Sequence, residues 1–197
     1  MTSLLDGLDD VQWVRVSDTW GLRVRSAVPG LLRRLESAGP DEAWSVGADL
    51  RGVLIHDHSG GYFWTTEYVV PFLNRLCRSP DGHVVATSVE LLTEIACSQP
   101  FSAEVEAGNE GMLERIQAVL LQERPFYYGL LTHPDPGVRS EAVELVSVID
   151  AGAQRRTDAL ERMWRTETEE KVRQVVAREL NMSLIHPDRG FGADVPM

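Results

Sequence analysis

The sequence is short of the features that mark specialised classes. It has two cysteines, one lysine (Lys171) and no apolar run near the ~18 residues of a membrane-spanning helix. Two cysteines in 197 residues cannot build a disulfide framework, and alone they cannot make a Cys-only zinc site. The opening Met1-Thr2-Ser3-Leu4-Leu5-Asp6 has no basic stretch and no apolar core of a signal peptide. A cytoplasmic protein without membrane contact is therefore expected. Positive charge is scarce as well: 19 Lys+Arg face 30 Asp+Glu, a net charge of −11. The surplus is spread evenly, with −5 on residues 1–100 and −6 on residues 101–197. No basic stripe of the kind that follows a nucleic-acid backbone is present, which argues against that partner class. Nucleophile elbow, phosphate loop and dinucleotide fingerprint are all missing. So is any alternating strand of five or more residues; the nearest is Trp13-Val14-Arg15-Val16.

What remains is an ordinary globular composition, 43% hydrophobic and 25% charged, arranged at helical spacing. Val28, Leu31, Leu32 and Leu35 follow the i, i+3, i+4, i+7 pattern. The sets Val69–Phe72–Leu73–Leu76, Val138–Ala142–Leu145–Val146–Ile149 and Val172–Val175–Val176–Leu180 do the same. Between them lie turn clusters at Ser37-Ala38-Gly39-Pro40-Asp41, Ser79-Pro80-Asp81-Gly82 and His133-Pro134-Asp135-Pro136-Gly137. Pro and Gly end one helix, and Asp offers a cap to the next. The fold class predicted is all-α.

The stripes repeat. Residues 136–146 align with 170–180 at an offset of 34, and Val138-Arg139 falls on Val172-Arg173. The stretch from Gly82 to Leu92 fits the same template, with Val85 where an Arg is expected. Residues 42–50 fit more loosely. The unit is helix–turn–helix, present about four times, near 19–57, 65–97, 111–149 and 152–182. Residues 183–197 read as a tail or cap. Ser98–Glu110, with Pro100, Gly108 and three glutamates, reads as an exposed loop.

This pattern resembles HEAT repeats, and over residues 8–182 the chain is similar to small HEAT-repeat proteins of high-GC bacteria. The resemblance rests on Leu8-Asp9-Asp10-Val11-Gln12-Trp13 and on Val28-Pro29-Gly30-Leu31-Leu32-Arg33-Arg34-Leu35. It also rests on His58-Ser59-Gly60-Gly61-Tyr62-Phe63 before Val70-Pro71-Phe72-Leu73. It implies an α-solenoid of about four hairpins in a curved right-handed superhelix. First helices would lie on the convex side and second helices on the concave side, which commonly binds extended partners. It implies no reaction.

The candidate residues follow. His56, Asp57 and His58 could in principle ligate a metal or move a proton. On a helix, i and i+2 side chains diverge, so a structural role at a helix end is expected instead. No metal and no cofactor are expected. His56, His58, Tyr62 and Trp64 are candidate binding residues, as are Tyr127 and Tyr128 beside Pro125, a proline expected to kink or break its helix. Arg139, Arg173 and Asp135 are expected to make structural contacts between repeats. Cys77 and Cys97 are expected in the core. The functional expectation is a non-enzymatic protein-binding module (scaffold, regulator or immunity-type inhibitor) with a basic protein partner. Two alternatives stand beside it. One is a HEAT-like DNA glycosylase or self-resistance enzyme using Trp44, Trp64 or Trp164 with Asp49, Asp150 or Asp158. The other is a small-molecule or biosynthetic site at the His56–Trp64 loop.

Overall fold

A computed structural model describes residues 3–13 and 22–181, with the side chains of 22–26 left aside. The tail 183–197, and residues 14–16 of the short alternating run, lie outside the described residues. Nine α-helices and no strand occur among the described residues, so the chain is all-α. They are α1 (Leu22–Glu36), α2 (Pro40–Leu54), α3 (Thr65–Leu76), α4 (Gly82–Cys97), α5 (Ser102–Glu106), α6 (Met112–Leu130), α7 (Pro136–Ile149), α8 (Gln154–Thr166) and α9 (Glu170–Glu179). None is long and apolar enough to cross a membrane.

The sequence explains the boundaries. Pro40 and Pro136 sit in the first turns of α2 and α7, where a missing N–H costs nothing. Asp135 caps α7 by accepting from Gly137 N at 2.7 Å and Val138 N at 3.3 Å. The apolar stripes become the core: Val28, Leu32, Leu35, Val69, Leu73, Leu76, Val138, Ala142, Val146 and Val176 are all fully buried. α1 packs on α2, α3 on α4, α6 on α7 and α8 on α9. The second helices α2, α4, α7 and α9 lie side by side in that order; the first helices α1, α3 and α6 form the other layer. Between the end of α6 and α8 that other layer opens into a depression of ≈ 600 Å³.

Pro125 does not break its helix. α6 runs unbroken through it, as α1 does through Pro29 and α3 through Pro71. Pro71 and Pro125 are exposed. The carbonyls that lose a donor, on Glu67 and Leu121, belong to residues that are not buried, so water can serve them.

Ser98–Glu110 is exposed over much of its length, at Gln99, Ser102, residues 105–108 and Glu110, but it is anchored and partly helical rather than a free loop. Tyr62 N donates to Gln99 O and Phe101 N donates to Tyr62 O, both at 2.9 Å, which ties the segment to the α2–α3 connection. α5 follows, with Glu104 fully buried and accepting from Asn109 Nδ2 at 2.7 Å. A Cβ at Gly61 would sit 2.9 Å from Phe101 Cα, so only glycine lets the two segments come this close. At the start of the chain, Leu5, Leu8 and Trp13 are buried, and the Trp13 ring lies 6.3 Å from Phe72.

Candidate functional site

The His56–Trp64 connection is a folded knot. His56 N donates to Gly61 O at 2.8 Å, Gly60 N to His56 O at 2.8 Å, and Gly60 turns the chain with φ 67°. The His56 ring stacks on Phe101 at 4.6 Å and meets His58 edge-on at 5.7 Å. Its Nδ1 lies 3.0 Å from Ser59 Oγ and accepts from Ser59 N at 3.2 Å. His56 thus serves the turn and the stacking, and His58 meets its ring edge-on. Among the described residues no three His, Cys, Asp or Glu side chains converge as a metal site. Trp64 packs edge-on against Tyr68 at 5.6 Å. Tyr62 is fully buried, and its hydroxyl meets no partner among the described residues. Burial, with Glu114 and Glu67 nearby, pushes that phenol up to about 12.

The two other candidate tyrosines belong to the framework. Tyr127 is fully buried and donates to Asn74 Oδ1 at 2.5 Å, which removes it from any binding surface. Tyr128 is half-buried and donates to Asp150 Oδ2 at 3.0 Å. Asp150, buried at the end of α7, also accepts from Arg124 at 3.2 Å and from Arg155 through both oxygens. Chiefly through Arg155, its carboxyl is held below the ordinary Asp value.

Arg139 and Arg173 use their equivalence in the repeat. Each sends Nη1 to the carbonyl six residues earlier, His133 O at 2.9 Å and Glu167 O at 3.2 Å. Arg139 adds a bidentate pair with Glu167 of the next hairpin, at 2.7 and 2.8 Å. Arg173 instead stays within its own hairpin and lies over the Trp164 ring at 4.2 Å. Asp135 packs against Gly82, where a Cβ would collide with its carboxylate, so it does join neighbouring hairpins.

On the second-helix layer, sequence reasoning weighed Trp44 and Asp49 only for the glycosylase alternative and gave Arg139 and Arg173 structural roles, yet that layer carries the most conspicuous exposed side chain among the described residues. Trp44 on α2 is 71% exposed. It lines a cleft of ≈ 160 Å³ with Gly47, Ala48, Arg51, Glu90, Leu91 and Glu94. Arg51 pairs with Glu94 at 2.9 Å and Arg178 with Glu144 at 2.8 Å. Glu90 and Glu141 stand between those pairs. Burial pushes the Glu141 carboxyl up to about 7, with Glu144 and Glu90 adding to the effect. Glu90 is raised for the same reasons, by burial and then by Glu94 and Glu144. Cys97 is exposed on α4, contrary to its expected core position, whereas Cys77 is buried. The signal was available: Trp44 lies off the Ala43–Val46–Gly47–Leu50–Leu54 stripe, and Glu90, Glu144 and Arg178 hold one repeat position.

Comparison with protein-family models, curated proteins and solved structures finds no match to this chain.

Proposed function

We propose that the four hairpins form a HEAT-type solenoid whose second-helix face is a docking surface for a basic, extended protein segment. The observation that carries this reading is the exposed Trp44 beside a row of glutamates with too few arginines to balance them. An aromatic face next to carboxylates suits a guanidinium or ammonium group, which gains from both. The order of α2, α4, α7 and α9 supports the solenoid, and the 34-residue repeat supports it independently. A scaffold and an inhibitor of a basic protein are both compatible with such a surface.

The arginines weigh against the nucleic-acid reading. Arg139, Arg155, Arg165 and Arg178 are paired with Glu167, Asp150, Glu161 and Glu144. Asp150, one candidate catalytic carboxylate, is held by three donors.

Titration of tryptophan fluorescence with an arginine-rich peptide, against an acidic peptide of equal length, tests the docking surface. The basic peptide should bind and weaken with added salt. Trp44→Ala should weaken it by about tenfold, and Glu90→Gln with Glu141→Gln by several-fold. Equal binding of both peptides, or none of the basic one at low salt, sinks the reading.

A further inference from the structure

Arginine is outnumbered by acid in this chain, and the described arginine side chains are engaged with one exception. Arg162 on α8 makes no hydrogen bond, ion pair or ring contact. The carboxylates nearest to it in sequence serve other donors. Asp158 accepts from Gln154 Nε2 at 2.8 Å, and Glu161 pairs with Arg165 at 3.6 Å.

Arg162 lines the depression of ≈ 600 Å³ between the end of α6 and α8. This is an open surface of mixed polarity, in the size range of small-molecule sites. The carboxylate on its wall is Glu167, and that group is saturated. It holds the bidentate pair with Arg139 and accepts from Thr168 N at 3.0 Å and Glu169 N at 2.9 Å. Arg139 spends its remaining Nη1 on His133 O and Pro134 O. The two charges cancel, so Arg162 gives the lining one uncompensated positive charge in a chain of net −11.

His133 lines the opposite wall, in the connection between α6 and α7. Its Nδ1 accepts from Asp135 N at 3.1 Å, so the neutral ring carries its hydrogen on Nε2. That N–H has no partner among the described residues and, unlike the Tyr62 hydroxyl, is not sealed from water. Thr132 and Thr166 donate their hydroxyl hydrogens to Gly129 O and Arg162 O. The side-chain N–H donors left to an incoming molecule are those of Arg162 and His133. Leu131, Ala159 and Met163 supply the apolar part of the lining, each less than a tenth exposed.

We propose that this depression binds a small organic carboxylate with an apolar body. Arg162 pairs with the carboxylate, His133 donates from the opposite wall, and the body lies over Leu131, Ala159 and Met163. The guanidinium fork matches a carboxylate. One uncompensated cation balances a monoanion and leaves a phosphate dianion half-matched. The apolar lining rewards a hydrocarbon body that an inorganic anion lacks. The site is independent of the docking face, because none of its lining residues belongs to the Trp44 cleft.

The probes are 3-phenylpropanoate, its neutral amide 3-phenylpropanamide, and phenyl phosphate, titrated into the full chain and followed by NMR. The acid should bind at least about 5-fold more tightly than the amide, and salt should weaken the acid alone. Arg162→Gln should weaken the acid about 5- to 10-fold and leave the amide and the helicity unchanged. His133→Asn, which keeps an acceptor for Asp135 N, should weaken the acid about 2- to 3-fold. Arg165→Gln, on the same helix but outside the depression, should leave the acid unchanged. The proposal is overturned if the acid does not bind or binds no better than the amide. It is equally overturned if both arginine variants weaken the acid alike, as for diffuse attraction to α8. Tighter binding of phenyl phosphate, or displacement of the acid by an acidic peptide without apolar side chains, also overturns it.

Discussion

Asp150, at the end of α7, and Glu167, at the end of α8, are carboxylates held below their ordinary values by arginine. Glu90 and Glu141, on the ridge formed by α4 and α7, are carboxylates raised above theirs. Similar side chains in one fold are thus driven in opposite directions. Burial works to raise all four carboxyls, and it prevails at Glu90 and Glu141 but not at Asp150 and Glu167. Donors decide it: Arg124, Arg155 and Tyr128 surround Asp150, and Arg139 with two backbone N–H groups surrounds Glu167. Glu141 has Glu144 and Glu90 as neighbours and only Arg178 to oppose them. The first pair of carboxylates is structural; the second is negative charge that a partner could use.

The comparison breaks most visibly at Arg139. Arg139→Ala strands Glu167 in its buried site and should cost about 3 kcal/mol in a urea melt. Asp150→Ala, which removes the acceptor from three donors, should cost about 2 kcal/mol. A folded-state value below 4.5 means that the Glu167 contribution is present above that value and disappears as pH falls through the folded-state value. The Arg139→Ala penalty should therefore shrink in acid.

Glu141 sharpens the contrast with the opposite sign. Its carboxyl titrates at about 7 in the fold against 4.5 ordinarily. The folded chain holds more proton between those values, so its stability falls as pH rises through that window. Glu141→Gln should stabilise by about 1 kcal/mol at roughly pH 8 and change nothing at roughly pH 4, as read by thermal melts. The smallest effect belongs to neither group: Arg165→Ala breaks an exposed i,i+4 pair with Glu161 and should shift stability by less than about 0.5 kcal/mol.

The helical framework was legible because its signals are local. Val28–Leu35 and Val138–Ile149 show their stripes within one helix, and Asp135-Pro136 announces a helix start within two residues. The Arg139 and Arg173 carbonyl bonds span six residues each, so the repeat alignment could carry them. Contacts across the chain were not legible. Tyr127 looked like a surface candidate until Asn74, far away in sequence, took its hydroxyl. Ser98–Glu110 looked polar and free because its anchors, Gly61 and Tyr62, belong to another connection. Cys97 sits where α4 ends, and whether a helix end is covered depends on what packs there.

Cys97 has a practical consequence. Cys77 is sealed inside, so Cys97 alone of the two thiols is open to reagents. Burial, then Glu144, Glu179 and Glu94, raise its thiol above the ordinary value and keep thiolate scarce near neutrality. Salt screens those three charges, so alkylation by neutral iodoacetamide at fixed pH should quicken as ionic strength rises. The chain therefore carries its own voltmeter, one sulfur whose reaction rate reads the potential of the glutamate ridge without a label being added.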